Sequence, residues 1–395
     1  RYRGAGSDGA VSWLALDTDW VKSPPKVEWF IKCGNGYSGI AVAGNLVVTL
    51  EQRKEGESVV CYDRNTGKQR WVHSYNDSYI DPTSMGNGPR STPTIFNDRI
   101  YSIGATGELV CLNIKGEKQW SHNILKDAKA KNVKWGLTGS PLIVDDLVIA
   151  NPGIDEKAEE PSHSSLIAYD LATGNIRWRS GNRPAGYSSP QLATIAGVTQ
   201  IILFDGTGIV GYDPKTGREL WQHPWPTQFS MNSIQPLVLG DRVFISSERT
   251  NGCAMLQIVK DSAGEKPAWK VEIAWKNRNL AARYANPVSD GKSIFGLDNT
   301  GGELTCLDVA TGKLHWKAEA EGPGQLLLAK NALIVTNGKT GDVALFDLDT
   351  SECKELARFQ TFAKQDKTWN TPALAGDLLF VRNQNQITCL KLTRR

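Results

Sequence analysis

Short apolar runs that alternate with polar residues recur along the whole chain, and one kind of turn closes the clearest of them. Residues 61–67 read Cys-Tyr-Asp-Arg-Asn-Thr-Gly, and related copies fill residues 168–174, 211–217 and 306–312. Alternation with a period of two predicts half-buried strands. In the turn, Asp and Thr side chains bond backbone amides and Gly takes a positive φ, which predicts a tight hairpin. No long stretch keeps a helical period, so the pattern predicts an all-β fold.

The turn recurs at intervals that are typical of propeller blades. Its aligned Asp position is occupied, copy by copy, by Asp63, Asn113, Asp170, Asp213, Asp261, Asp308, Asp347 and Lys391. Repeats of about 40 to 50 residues with four strands each mark the blades of a β-propeller. Eight copies therefore predict an eight-bladed β-propeller of four-stranded antiparallel blades.

A tryptophan follows most of these turns at the start of the next strand. The column contains Trp29, Trp71, Trp120, Trp178, Trp221 and Trp316. A large ring at this outer position can wedge between adjacent blades while its indole N–H bonds a backbone carbonyl. We therefore interpret these residues as structural staples between blades.

The two ends of the chain complement each other. The eighth copy stops near Lys391 without an outer strand, whereas residues 27–31 form an isolated strand that carries Trp29. We expect this N-terminal strand to complete the last blade, which removes the exposed sheet edges of an open array. The sequence predicts one domain over 1–395, with an N-terminal extension (1–26), a closing strand (27–36) and the blades (37–392).

Charge and hydropathy exclude two classes of protein. Lys and Arg number 45 against 42 Asp and Glu, the net charge is +3, and no run of basic residues occurs. This overall charge balance gives nucleic acid no global electrostatic attraction to the chain. No stretch approaches the roughly 18 apolar residues of a transmembrane segment. The chain starts at Arg1 rather than Met, so an export signal or lipid anchor before it stays open, and we expect a monomer.

The repeated x-Asp-x-x-Thr-Gly-x-x-x-Trp pattern resembles the tryptophan-docking motif of the pyrroloquinoline-quinone (PQQ) dependent alcohol and glucose dehydrogenases. It is equally similar to the repeat of BamB-type outer-membrane assembly proteins and covers about Trp29 to Leu392. The resemblance implies a PQQ-like propeller from a bacterium, located in the periplasm or cell envelope or secreted. One fold hosts many activities, so the resemblance predicts the fold and leaves the function open.

The resemblance to PQQ enzymes would imply adjacent cysteines beneath the cofactor, calcium ligands and a catalytic Asp. The cysteines are Cys33, Cys61, Cys111, Cys253, Cys306, Cys353 and Cys389, and no two are neighbours. We therefore assign no catalytic residue and expect no cofactor, with PQQ and calcium as the disfavoured alternative. His73, His122 and His223 each follow a staple tryptophan in a different blade, so no metal site is predicted.

Four of the cysteines share one repeat position. Cys61, Cys111, Cys306 and Cys389 stand where other blades have Ala168 or Gly211. Equivalent positions in separate blades lie too far apart for a disulfide, so we expect small, buried, free thiols.

A ring of side chains is predicted where the innermost strands enter the central channel. A proline opens most of these strands, where no ladder bond is lost. Three residues before it, or before its replacement, stand Tyr37, Arg90, Thr138, Tyr187, Ser233, Tyr284, Pro323 and Trp369. Aromatic residues and arginine are enriched at recognition surfaces. The alternative is that these side chains only close the channel.

Loops on the same face carry many basic residues, among them Lys134, Lys276, Arg278 and Arg283. A basic mouth with an aromatic rim suits an anionic ligand or an acidic partner surface. The candidate binding residues at the mouth are Tyr37, Arg90, Trp135, Tyr187, Asn232, Arg278, Tyr284, Trp369 and Arg382.

Three functions remain open at this point. The first is a non-catalytic module that binds a protein or a cell-envelope component through the mouth and rim. The second is a quinoprotein-type oxidoreductase acting on alcohols or polymers. The third is a propeller that binds carbohydrate or another small ligand on the Tyr/Trp ring.

Overall fold

The computed structural model describes residues 2–4, 6–75, 77–83, 85–159, 162–248, 251–261, 268–298, 302–320, 322–363 and 367–395. Within them the strands form eight sheets in a ring, which confirms the predicted eight-bladed propeller. The helical elements in this part of the chain are α1 (Ile124–Ala128) and a 3-10 turn at Gln228–Ser230. None of the described helices has the length and apolar character needed to span a membrane.

The blades are numbered along the chain, each from its innermost strand outward. The chain begins with β1 (Ala10–Val11) and β2 (Lys26–Lys32). Blade 1 consists of β3 (Ala41–Ala43), β4 (Leu46–Arg53), β5 (Gly56–Asp63) and β6 (Gln69–Ser74), and blade 2 of β7 (Thr94–Phe96), β8 (Arg99–Ile103), β9 (Glu108–Asn113) and β10 (Lys118–Asn123). Blade 3 consists of β11 (Leu142–Val144), β12 (Leu147–Ala150), β13 (Leu166–Asp170) and β14 (Ile176–Ser180), and blade 4 of β15 (Gln191–Ile195), β16 (Val198–Phe204), β17 (Gly208–Tyr212) and β18 (Glu219–Pro224). Blade 5 consists of β19 (Leu237–Leu239), β20 (Arg242–Ser247), β21 (Gly252–Asp261) and β22 (Ala268–Asn277), and blade 6 of β23 (Val288–Ser289), β24 (Ser293–Leu297), β25 (Glu303–Asp308) and β26 (Leu314–Ala320). Blade 7 consists of β27 (Gln325–Ala329), β28 (Leu333–Thr336), β29 (Asp342–Phe346) and β30 (Glu355–Gln360). Blade 8 consists of β31 (Ala373–Ala375), β32 (Leu378–Arg382) and β33 (Gln386–Lys391), with β2 as its outermost strand.

The repeated turn has the geometry that its residues predict. In blade 1, Asp63 Oδ1 accepts hydrogen bonds from the backbone N–H of Asn65 (3.1 Å) and of Thr66 (3.0 Å) and from the Thr66 hydroxyl. Gly67 has a φ of 68°. The register then shifts between Cys61 and Tyr62, a β-bulge that places the fourth strand. The turns at Asp170, Asp213 and Asp308 repeat the Asp-to-Thr bonds.

The tryptophans dock on the turn of the next blade. The indole N–H of Trp29 donates to Arg64 O at 2.8 Å, and that of Trp71 donates to Ile114 O at 2.8 Å. The Trp29 ring also covers the turn glycine, because a Cβ added at Gly67 would lie 2.7 Å from the ring. The turn glycine at position 67 is therefore needed twice, for its positive φ and for the ring that lies on it.

Two of the six tryptophans depart from this geometry. The Trp178 ring packs over Gly217, but its indole N–H has no hydrogen-bond acceptor among the described residues. The indole N–H of Trp221 donates to Gln200 Oε1 at 2.6 Å, within its own blade. The expectation of a backbone acceptor is therefore corrected for these two residues.

The fifth blade contains a docking tryptophan that the sequence alignment missed. Trp275 donates to Val309 O at 3.0 Å and packs over Gly312. It pairs with Met255, so the position that corresponds to the turn Asp is Gln257 rather than Asp261. The two outer strands of this blade are ten residues long, and the extra length displaced the alignment. The predicted turn after Asp261 falls in 262–267, outside the described residues.

The N-terminal strand closes the ring as predicted. β2 runs antiparallel to β33, with Trp29 opposite Cys389. The Trp29 ring lies 5.8 Å from that of Phe380 in β32. The N-terminal strand β2 is therefore part of the last blade, and its Trp29 also docks on blade 1.

Residues before this strand enter the central channel. β1 pairs in parallel with β27, the innermost strand of blade 7, with Ala10 opposite Leu328. Further in, Arg3 Nη2 donates to Pro287 O at 2.9 Å, and Asn286 Nδ2 donates to the Tyr2 hydroxyl at 2.9 Å. We call residues 2–4 and 6–11 the N-terminal plug. The sequence predicts residues 1–26 only as an N-terminal extension and does not indicate where this extension lies in the fold.

We predict that Trp29→Ala lowers the free energy of unfolding by about 3 to 5 kcal/mol, the usual range for deleting a buried Trp. The side chain is 7% exposed and joins blades 8 and 1. Equilibrium denaturant unfolding followed by near-UV circular dichroism measures the change.

The matched control is Trp13→Ala, because Trp13 is 63% exposed. It should change stability by less than about 0.5 kcal/mol. Equal effects of the two substitutions would contradict the role of Trp29 in closing the ring.

Candidate functional site

The mouth of the channel is a pit built by the loops that lead from each outer strand to the next innermost strand. It has a volume of about 170 Å³. The lining side chains from these loops are Tyr37, Met85, Arg90, Trp135, Thr138, Tyr187, Met231, Ser233, Tyr284 and Trp369. Tyr2 of the N-terminal plug borders the pit as well. Six of the nine candidate binding residues therefore lie together here.

The other three candidates lie elsewhere. Arg382 is fully buried and donates to the backbone carbonyls of Ser38 and Leu50, so it joins blades 8 and 1. Asn232 is also buried and donates to Asp205 O and Trp225 O. Both side chains satisfy carbonyls at loop and strand ends, which must be paired when buried. Arg278 is exposed and does not line the pit. Their assignment to the mouth is corrected accordingly.

Three aromatic rings form a stack across one side of the pit. The Trp369 ring lies 5.3 Å from that of Tyr284 with an interplanar angle of 13°, and 5.8 Å from that of Tyr37 with an angle of 20°. Blade 7 contributes Pro323 at the corresponding ring position, so Trp369 of blade 8 fills the space between the tyrosines of blades 6 and 1. The indole of Trp369 therefore stacks with both tyrosines.

Arg90 organises the part of the pit next to Tyr37. Its Nε donates to Trp135 O at 2.6 Å, and its Nη2 donates to Gly86 O at 2.8 Å. The guanidinium also lies 5.1 Å from the Tyr37 ring and 5.0 Å from the Tyr79 ring. Burial lowers the pKa of Arg90 below its usual range. The hydrogen-bond donors of Arg90 are thus used within the protein, so this residue stabilises the loops that form the mouth.

Other cations cover the aromatic rings around the rim. Lys134 Nζ lies 4.9 Å from the Trp135 ring and 4.5 Å from the Phe229 ring. Further pairs of this kind are Lys276 with Trp225 (4.5 Å), Arg283 with Tyr284 (4.7 Å) and Lys367 with Trp369 (5.3 Å). Such contacts fix the rings and concentrate positive charge at one face of the ring of blades. Arg283 also pairs with the buried Glu248.

The long loop between β6 and β7 is held in place by a buried carboxyl group. Glu57 Oε2 accepts the backbone N–H of Ala105 at 2.8 Å, and Oε1 accepts that of Tyr79 at 3.3 Å. Burial raises the pKa of Glu57 to about 7. A group close to half-ionised near neutral pH therefore ties blade 1, blade 2 and the mouth loop together.

The cysteines are reduced and form no metal cluster with other side chains among the described residues. All seven cysteines are free thiols, and the four in the repeat column are buried, as predicted. In the part of the chain that the structure describes, no three His, Cys, Asp or Glu side chains lie close enough to hold one metal ion. The groups that the pit does offer are stacked rings, their cations and hydroxyl groups.

A family model described as "Outer membrane protein assembly factor BamB" matches residues 55–318 and 258–354. The chain belongs to this BamB family. Among curated proteins, BamB of Burkholderia pseudomallei is 24% identical over 344 residues, which cover 76% of this chain and 84% of that protein. An uncharacterised protein of Rickettsia conorii is 24% identical over 315 residues, covering 74% of this chain and 68% of that protein.

Two solved structures share the fold of this chain. The crystal structure of BamB from Moraxella catarrhalis superposes with a TM-score of 0.64 at 15% identity, covering 93% of this chain and 97% of that one. A computationally designed protein, Ika8, superposes with a TM-score of 0.57 at 12% identity, covering 91% and 98% of the two chains. At these identities the likeness shows the fold alone.

Sequence reasoning missed several residues of the mouth. Phe229 is 56% exposed and has a φ of 59°, but no repeat position marks it because it lies in an irregular loop. Tyr79 and Lys367 also come from loops of unique length. The Lys-x-Trp spacing of Lys367 and Trp369 is a signal that could have pointed to their contact. Nothing in the sequence placed Tyr2 in the channel.

We predict that stability depends on pH through Glu57. The pKa is raised from 4.5 to about 7, so between these values the folded protein keeps a proton that the unfolded chain has lost. This contribution is fully present below pH 4.5 and is lost as the pH rises through 7. The free energy of unfolding of the wild type, relative to Glu57→Gln, should fall by about 3 kcal/mol between pH 4.5 and pH 8.

Denaturant unfolding across that pH range measures the difference. Glu55→Gln is the matched control, because Glu55 is exposed in the adjacent turn and should leave the pH profile unchanged. A constant difference between wild type and Glu57→Gln at every pH would show that Glu57 is ionised throughout.

Proposed function

We propose that this BamB-family chain is a non-catalytic binding module of the periplasm or cell envelope, and that it holds a partner protein at the mouth and rim. The observation that carries the proposal is the set of mouth aromatics covered by Lys134, Arg283 and Lys367, together with Lys276, which covers the buried Trp225. The names of the matched relatives, assembly factors of the outer membrane, support the envelope as the location.

The chemistry of the rim favours a protein surface that carries acidic groups. Lys134 and Lys276 are exposed, and two large apolar side chains near them protrude into solvent, Ile80 at 72% and Phe229 at 56% exposure. Apolar anchors surrounded by charge are typical of protein interfaces. Cations at the rim would steer an acidic partner and fix its orientation.

The same geometry argues against carbohydrate as the main ligand. Sugars stack on open aromatic faces, but the Trp369 ring lies between two tyrosines and the Trp135 ring is covered by Lys134. A cationic ligand would meet the protein's own cations at these rings. An anionic or acidic partner remains the best match.

A photo-crosslinking residue at position 229 tests the proposal in cells. We expect one dominant adduct of the envelope fraction from position 229 and none from position 313, which lies on the opposite face in the turn of blade 6. The double variant Lys134→Glu with Lys276→Glu should reduce the adduct about tenfold, because like charges would then face each other.

The control is Lys68→Glu with Lys313→Glu, which changes the net charge equally on the opposite face. Both control residues are exposed in turns. An adduct that survives reversal at the rim, or that forms equally from position 313, would contradict binding at the mouth.

In this proposal no cofactor takes part. Titration of the protein with PQQ and calcium should therefore change neither the absorbance spectrum nor the melting temperature. Saturable binding of PQQ that is lost in Trp369→Ala would contradict the proposal and favour a quinoprotein oxidoreductase.

A further inference from the structure

A second cavity lies in the central channel, beside the N-terminal plug and below the pit. Its volume is about 390 Å³, within the range of small-molecule sites. Tyr2 and Thr371 border both spaces, so they mark the boundary between the channel cavity and the pit. The plug bonds to blades 6 and 7, and the cavity lies between the plug and the innermost strands of blades 7, 8, 1 and 2.

The walls of the channel cavity are mostly aliphatic. They come from the innermost strands of blades 7, 8, 1 and 2 and from the plug. The apolar wall side chains are Val11, Ile40, Val42, Ile95, Leu327 and Leu374. A wall of this composition favours a hydrocarbon chain, because each buried CH₂ group contributes about 0.8 kcal/mol.

The charged side chain that borders this cavity is Arg3. It is 6% exposed, and its Nη2 donates to Pro287 O. Its Nε and Nη1 have no hydrogen-bond partner among the described residues. Within the same residues, no carboxylate lies within 4 Å of it. Burial lowers the pKa of Arg3 to about 10, although the neighbouring Tyr2 and Asp8 act in the opposite direction.

The backbone around Arg3 is shaped to hold it there. Gly4 and Gly9 have φ values of 83° and 73°, and the Gly9 N–H donates to Arg3 O at 3.2 Å. The guanidinium lies against Gly9, because a Cβ at that position would be 2.5 Å from Arg3 Nη2. The plug thus forms a hook that holds Arg3 at the wall of the channel cavity, where Asp8 favours its charged form but makes no ion pair with it within 4 Å.

A buried cation without an anionic partner is unfavourable, and an anion in the adjoining space would offset the loss of solvation. We propose that the channel cavity binds an aliphatic carboxylate, with its head group near Arg3 and its hydrocarbon chain along the strands of blades 8, 1 and 2. This site adjoins the pit, with which it shares Tyr2 and Thr371, but the proposal does not rest on the partner proposed for the mouth.

Calorimetric titration of the full chain with dodecanoate tests the site. We expect one dodecanoate per chain, and weaker binding of dodecanol and of dodecyltrimethylammonium by about tenfold or more, since these lack the anion that pairs with arginine. Arg3→Gln should weaken dodecanoate binding by a similar factor, and Arg3→Lys should recover most of it.

Two further variants locate the site. Ala41→Phe, on the innermost strand of blade 1, narrows the cavity and should abolish binding. Lys134→Gln, at the rim, should leave it unchanged. The proposal is overturned if dodecanol binds as tightly as dodecanoate, if Arg3→Gln binds normally, if Lys134→Gln rather than Arg3→Gln loses binding, or if no dodecanoate binds at about 1 mM.

Discussion

The propeller depends on one contact that recurs around the ring, a tryptophan of one blade lying on the glycine turn of the next. In the pair of Trp120 and Gly174 the ring covers the glycine, and the indole N–H donates to Leu171 O at 3.4 Å. The contact combines burial of a large ring with a directed hydrogen bond. A turn with any other residue at the glycine would meet both a steric clash and an unfavourable φ.

These contacts between outer strands determine how far the residues on the inner face of the propeller can vary. Because each blade is held by its fourth strand, the innermost strands are free to differ in their first residues, and those residues build the mouth. There the stack of Tyr284, Trp369 and Tyr37 spans the place where blade 7 contributes Pro323. The rim adds cations over its rings, while the N-terminal plug divides the mouth from the channel cavity. Both proposed binding sites thus lie in loops and at the N-terminus of a repetitive scaffold.

The repeat was readable because it is local. Turn, bulge and tryptophan lie within about a dozen residues, so the blade count, the closing strand and most of the mouth ring followed from spacing. The remainder depends on packing between distant segments. Arg382 and Arg90 are both basic residues at loop or strand ends, and only the neighbouring carbonyls show that each braces the fold.

Two features of the structure were not predicted correctly from the sequence, and each has a clear physical reason. The long outer strands of blade 5 displaced the alignment, and Trp275 was overlooked because its distance from the turn is not the usual one. The position of the plug was unpredictable because Tyr2 and Arg3 obey no repeat, and their partners Asn286 and Pro287 are far away in sequence.

A double-mutant cycle on Trp120 and Gly174 tests the central contact most directly. Trp120→Ala, Gly174→Ala and the double variant are compared with the wild type by equilibrium unfolding. We expect a coupling energy of about 1 to 3 kcal/mol, because alanine at position 174 loses its steric conflict once the ring is gone. Additive effects, with a coupling below about 0.5 kcal/mol, would contradict the claim that docking of tryptophan on glycine holds the blades together.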